Sequence, residues 1–222
     1  MLIKFLGTSS DEAIPRPDCN CPQCSSRDKK DKRLRSSLLI DRRILIDADP
    51  DIGSQLRPSQ VRLLEAVLIT HEHSDAVGGL KNLLRIRRDS RIIRLKPGQH
   101  FKLLGIDFYA FKVKHSKMIT TVGIEIGPVV YLSDIADLDW AMKYLKESKI
   151  AIIDGSMLGR SFGGHLAINE IIGQTKPLKN LKKIYFTHNG HTRKPHKEMT
   201  KLIQQMGDKR YHVAYDRLEI KV

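Results

Sequence analysis

Short runs of β-branched and aliphatic residues, each bounded by turn-forming residues, recur along the whole chain and constrain its fold more than any other feature. They cover Leu2–Leu6, Ser37–Ile40, Ile44–Ile46, Ala66–Ile69, Phe101–Leu104, Phe108–Lys114, Val122–Ile126, Val129–Leu132, Ile150–Ile153, Ile184–Phe186 and Tyr211–Tyr215. Runs of this length and composition predict strands. Between them, Asp75–Arg88, Ile135–Lys146, Leu166–Gln174 and Lys194–Met206 carry apolar residues at three-to-four spacing, which predicts helices. Strands dominate as far as Leu132, and beyond it strand and helix alternate to a closing strand pair. The pattern predicts an α+β fold with helices covering stacked sheets. With 222 residues, 41% of them hydrophobic and 29% charged, the chain can bury a substantial core and reads as one domain spanning 1–222.

Composition narrows the function classes. No stretch approaches the roughly 20 apolar residues that cross a bilayer, and Met1–Phe5 reads as a first strand without signal-peptide architecture. Neither a membrane protein nor a secreted precursor is expected, and no membrane partner. The three cysteines, Cys19, Cys21 and Cys24, are too few for a disulfide scaffold. Their crowding suggests a bound metal in a reducing, cytoplasmic compartment. Lysine and arginine number 39 against 25 acids, a formal charge of +14 that attracts anions such as phosphates or nucleic acid. A merely solubilising basic surface is the alternative. The polar, basic stretch Ser25–Arg35 reads as a solvated loop.

The chemistry concentrates in Thr70-His71-Glu72-His73-Ser74-Asp75, directly after the apolar run Ala66–Ile69. On an extended segment, residues two apart point the same way, so His71, His73 and Asp75 can converge on one point. Convergent imidazoles and a carboxylate make a transition-metal site. Further ligand types follow other predicted strands: His115, Asp134 and His188. Each alone would be weak, but a site assembled from several strand ends needs this distribution. A cation held there lowers the pKa of bound water from near 16 to about 7 and offsets charge on phosphoryl oxygens, so hydrolysis by metal-bound hydroxide is the natural reaction. His165, flanked by glycines where a helix begins, is the candidate acid or phosphate contact. Asp47 and Asp154, at strand ends, are expected to orient ligand imidazoles through hydrogen bonds.

The run from Thr70 to Leu80, with its Gly78-Gly79-Leu80 ending, resembles the signature of the metallo-β-lactamase superfamily. Asp47, His115-Ser116, Leu132-Ser133-Asp134 and Thr187-His188 fall in that family's order. Within the superfamily, Gly7-Thr8 and Cys19-Asn20-Cys21-Pro22-Gln23-Cys24 are most similar to the phosphoribosyl cyclic phosphodiesterases of phosphonate breakdown. The resemblance implies a four-layer αββα sandwich with a dinuclear zinc or manganese cleft at its edge. His71, His73 and His115 would hold one metal, Asp75 and His188 the other, and Asp134 would bridge them and position the hydroxide. The catalytic set would be His165, Asp134 and Asp75. The family's histidine after the motif aspartate is Ala76 here, which implies a weaker second metal or single-metal catalysis.

Three thiolates leave a structural zinc one protein ligand short. The resemblance supplies His191, giving a Cys3His zinc site from Cys19, Cys21, Cys24 and His191, in an N-terminal zinc-binding loop at about 11–35. Basic residues concentrate in Lys29–Arg43 and Lys81–Lys102. A nuclease commonly adds aromatic stacking platforms to a groove that tracks several phosphates. With 6% aromatic residues, and Trp140 read on a helix, none is visible. A small anionic phosphodiester, cyclic or linear, is therefore the expected substrate. A nuclease or RNA-processing enzyme is the alternative, and a non-catalytic metal-binding protein, disabled by Ala76, the second.

Overall fold

The computed structural model describes residues 1–222. Two mixed β-sheets pack face to face, with helices on both outer surfaces. The first sheet holds β1 (Leu2–Gly7), β2 (Ser37–Ile40), β3 (Ile44–Ile46), β4 (Ala66–Ile69), β5 (Ile92–Arg94) and β13 (Glu219–Lys221), in the order β13-β1-β2-β3-β4-β5. The second holds β6 (His100–Leu103), β7 (Ile106–Val113), β8 (Thr121–Ile126), β9 (Val129–Leu132), β10 (Ile150–Asp154), β11 (Lys183–Thr187) and β12 (Tyr211–Val213), in the order β12-β11-β10-β9-β8-β7-β6. Strands β9 to β12 run parallel, β6 to β9 antiparallel.

The strand runs lack polar alternation because both faces are buried. In β2, Leu38 and Ile40 face the space between the sheets while Leu39 faces outward. In β9, Val129 and Tyr131 face inward, and Val130 and Leu132 meet the outer helices. The period of two along each strand thus feeds three clusters. One lies between the sheets. One lies under α1 (Ile52–Gln55), α2 (Pro58–Val61), α3 (Ser74–Val77) and α4 (Leu80–Ile86), and one under α5 (Met142–Glu147), α6 (Ile168–Thr175) and α7 (His196–Met206). The architecture is the expected αββα sandwich. Each fully buried Leu, Ile or Phe contributes about 1.5–3 kcal/mol relative to exposure.

Three expectations need correction. The helix expected over Asp75–Arg88 is broken at Gly78-Gly79, where the Gly79 amide donates to Ala48 O (2.8 Å) in place of an intrahelical carbonyl, an approach that leaves no room for a Cβ. The helix expected over Ile135–Lys146 shrinks to α5. The amides of Ile135 and Ala136 donate instead to Asp154 Oδ2 and Lys114 O, and the Asp139 amide to Asp137 Oδ1, so this half never starts a helix. Trp140 therefore sits in the preceding turn. The stretch Ser25–Arg35 is not simply solvated either: Asp31 and Arg33 are buried. Arg33 Nη1 donates to Thr8 Oγ1 (2.8 Å), and Asp31 Oδ1 accepts the His196 amide (2.6 Å), pinning the loop to β1 and α7.

Candidate metal centre

The backbone stays extended through His73 (φ −73°, ψ 157°) and turns helical at Ser74. His71 and His73 therefore share a side, and Asp75 enters from the first turn of α3. His115, Asp134, Asp154 and His188 arrive from the C-terminal ends of β7, β9, β10 and β11. All converge at one edge of the sandwich. His73 Nδ1 lies 3.2 Å from His115 Nε2, and His71 Nε2 lies 3.6 Å from Asp134 Oδ2. His188 Nε2 lies 3.1 Å from Asp75 Oδ2 and 3.4 Å from Asp134 Oδ1. The two Asp134 oxygens thus face two donor sets.

The hydrogen bonds around these groups fit a cation. His115 Nδ1–H donates to Gly164 O (2.9 Å), which leaves Nε2 with a bare lone pair. Thr70 Oγ1–H donates to Asp47 Oδ2 (2.9 Å) and accepts from His71 Nδ1–H (2.8 Å). His71 Nε2 is consequently unprotonated, buried and without a hydrogen-bond partner. Nitrogen ligands about 2.0–2.1 Å from a tetrahedral zinc stand roughly 3.3 Å apart, which matches His73 and His115. The bare Nε2 atoms of His71 and His115 are thus the lone pairs a cation there would accept.

Charge points the same way. Burial, with the His73 and His115 imidazoles adding to it, holds His71 below its ordinary pKa despite the pull of Asp134 and Asp75, so it is the neutral, ligating form. Burial opposes charge on His188, yet Asp134, Asp154 and Asp75 outweigh it and raise its pKa well above the ordinary value. Burial alone would raise Asp75, but the hydrogen bond and charge of His188, with His71, carry it below the usual carboxylate range. Asp47 is pushed up by burial and by the neighbouring Asp134 and Asp75 charges, against two hydrogen bonds from Thr70. A cation among these carboxylates relieves that repulsion.

His165 lies beside the same centre. Its Nδ1 is 2.7 Å from Asp154 Oδ2 and 3.8 Å from Asp134 Oδ1, and its ring stacks on His188 with centroids 5.4 Å apart. Burial lowers its pKa, but the Asp154 hydrogen bond and the Asp154 and Asp134 charges overcome this and raise it. Asp154 Oδ1 also stands 3.6 Å from His188 Nδ1, and Asp47 reaches His71 only through Thr70. Both carboxylates lie behind the imidazoles. Asp47 (φ 60°) and His188 (φ 52°) adopt left-handed backbone, a strain that collects at functional sites. Ala76 is buried in α3 and offers no donor. Thr70 and the Gly164 carbonyl escaped the sequence reading. Thr70 could have been found as the hydroxyl preceding the motif histidine, whereas a backbone carbonyl leaves no sequence signal.

A second cluster lies in the N-terminal loop. Cys19, Cys21 and Cys24 place their sulfurs 3.6, 3.2 and 3.3 Å from His191 Nε2. A tetrahedral zinc with one nitrogen and three sulfur ligands has N···S edges of about 3.5 Å. Burial opposes the Cys21 thiolate, but the Cys24 amide and the His191 and cysteine hydrogen bonds bring it down to about 6. Cys24 is pushed up to about 11, by burial first and then by the other two sulfurs.

Fold and clustered side chains together define an αββα sandwich with a candidate metal centre at its edge. Residues 42–95 match the β-lactamase superfamily domain. An octanoyltransferase of Porphyromonas gingivalis is 27% identical over 97% of this chain, which spans about half (50%) of that relative's length. Among solved structures, a diphosphatase from the PhnP family superposes with a TM-score of 0.85 at 24% identity, covering 100% of this chain and 97% of that one. Zinc-bound PqqB from Methylobacterium extorquens superposes with a TM-score of 0.81 at 19% identity over 100% of both chains. The chain thus shares the metallo-β-lactamase fold with these structures, and its residues 42–95 carry the match to the superfamily domain. None of its helices is long and apolar enough to cross a membrane.

Proposed function

We propose that the chain is a metal-dependent phosphodiesterase acting on a small phosphate ester, cyclic or linear. The observation that carries this is the division of Asp134, with one oxygen 3.6 Å from His71 Nε2 and the other 3.4 Å from His188 Nε2. His71, His73 and His115 would hold one cation, Asp75 and His188 the other, and Asp134 both. Imidazole and carboxylate donors suit zinc or manganese. When bound, such cations polarise phosphoryl oxygens and acidify a water toward neutral pH. With Ala76 at the second set, fewer side chains hold that cation, and it is the more weakly bound of the two. Asp154 engages His165 through Nδ1, so His165 Nε2 is the atom left to protonate a departing alkoxide or contact a phosphate oxygen. Cys19, Cys21, Cys24 and His191 would hold a structural zinc that ties the 11–35 loop to the strand end carrying His188.

The test is hydrolysis of bis(p-nitrophenyl) phosphate by protein stripped with chelator and reloaded with zinc or manganese. Activity should return on reloading and collapse to background in His73→Ala. Absence of turnover with every divalent metal, while metal still binds, would overturn the reading in favour of a non-catalytic metal protein.

A nuclease using the same centre is a second reading, favoured by one surface. Lys81, Arg85, Arg88 and Arg94 line a cavity of about 560 Å³ along α4, and Arg94 also borders the cavity that His71 lines. Trp140 is 57% exposed, with Lys112 Nζ 5.5 Å from its ring centre. Tight binding of single-stranded or structured RNA, with an affinity whose logarithm falls steeply with log salt, would select this reading.

A further inference from the structure

The segment that carries His165 also carries an aromatic side chain with no part in the chemistry above. Phe162 is 74% exposed and joins none of the hydrophobic clusters. An exposed phenylalanine needs no explanation by itself. The direction of this one, however, is set by the backbone around it. Phe162 N–H donates to His165 O and His165 N–H donates to Phe162 O, both at 3.0 Å. The two residues between, Gly163 and Gly164, have φ of 61° and 86°. This is a two-residue hairpin of the I′ kind, which requires two positive φ values.

Residues directly opposite each other in a hairpin send their side chains to one face, with Cβ atoms about 4.5–5.5 Å apart. That face is identified by His165, whose Nδ1 points at Asp154 and lies 3.8 Å from Asp134. The Phe162 ring therefore leaves the hairpin on the side of the metal centre, at its mouth. The hairpin is braced at both ends. Gly164 O accepts from His115 Nδ1, and a Cβ at Gly164 would lie 2.5 Å from the His115 carbonyl oxygen. Ser161 Oγ accepts the Ala167 amide (2.8 Å) and donates to Glu170 Oε1 (2.6 Å), fastening the hairpin base to the start of α6. An aromatic ring presented on a fixed support loses little freedom when it stacks.

We propose that Phe162 is a specificity-determining residue whose ring stacks on a planar group carried by the phosphate ester, as in a nucleoside phosphate. The proposal rests on the phosphoester reading of the centre and adds to it the class of group attached to the phosphate. Arg160, two residues before Phe162, is exposed and adds a positive charge nearby, so one ligand can engage both with a ring and a charged phosphate.

The test is calorimetric titration of the zinc-loaded protein with adenosine 5′-monophosphate and ribose 5-phosphate, which differ only in the base, and with phenyl phosphate and methyl phosphate, which separate a directly attached ring from a base. Wild-type protein should bind the ring-bearing member of at least one pair about tenfold more tightly, the scale of one base–aromatic stack. Phe162→Ala should bring that ratio close to one, and Phe162→Trp should restore it. A wild-type ratio near one in both pairs, undetectable binding of all four ligands, or a preference that survives in Phe162→Ala would overturn the assignment. Failure of the phosphodiesterase reading shows separately, as absent hydrolysis by wild-type protein, while the binding ratio is still read.

Discussion

At the scale of single residues, the centre depends on groups that touch no substrate. Thr70 joins Asp47 to His71, receiving the His71 Nδ1 proton as a hydrogen bond and passing its own to the carboxylate. Thr70→Val keeps the shape and removes the link, and partners behind a ligand imidazole are typically worth 10–100-fold in metal affinity. The expected outcome is a roughly 10- to 100-fold weaker first metal, measured by competition with a chelating dye. Unchanged affinity would show that Asp47 acts only on the fold. His191→Ala tests the proposed loop zinc: one fewer bound zinc per chain by elemental analysis is expected, together with a lower melting temperature. Equal zinc content in wild type and variant would remove the loop metal from the account.

At the scale of elements, a strand end or a turn decides where a side chain points. The Gly163-Gly164 hairpin shows this most sharply, because it braces His115 and delivers His165 in one stroke. Gly164→Ala meets a φ of 86° and a carbonyl oxygen 2.5 Å from the new Cβ. Hydrolysis should fall while the melting temperature drops only a few degrees, because the turn lies outside the clusters that stabilise the sandwich. Full activity in this variant would mean that the hairpin can shift without disturbing either histidine. Ile152, by contrast, projects from β10 into the cluster between the sheets. Ile152→Ala should cost about 2–5 kcal/mol in denaturant unfolding, the range for a buried large-to-small change.

At the scale of the molecule, the N-terminal loop is tied to α7 through buried polar contacts. The Arg33 guanidinium approaches His196 Nδ1 at 3.1 Å, and Asp31 accepts the His196 amide. Burial first, then the Arg33 and Lys30 charges, hold His196 down at about 4, against weaker opposing pulls from Asp31 and Asp28. Its folded pKa is thus below the ordinary 6.5. Between those values the unfolded chain binds more protons than the folded one, so stability rises with pH from about 4 to 6.5. His196→Gln should flatten that part of the pH–stability curve in urea unfolding, and an unchanged slope would assign it to other groups.

The same scale separates what was legible in the sequence from what was not. Stacked sheets covered by helices were readable because strands buried on both faces must be continuously apolar, as Val129–Leu132 and Ala66–Ile69 are, whereas the αββα layering came from the family resemblance. The convergence of His71 with His73 was readable too, because extended backbone repeats every two residues. Illegible were the turn at Trp140, the burial of Arg33, the Thr70 link and the side of the hairpin from which Phe162 projects. The sequence by itself determined the strands and the helices that cover them, the strand-end placement of ligating residue types and the positive charge, since periodicity and composition are local properties. The tertiary structure alone decided which side chains meet, because contacts such as His188 with Asp75, or His191 with Cys21, join residues more than 100 positions apart. Such contacts depend on how two sheets pack, which no local pattern records.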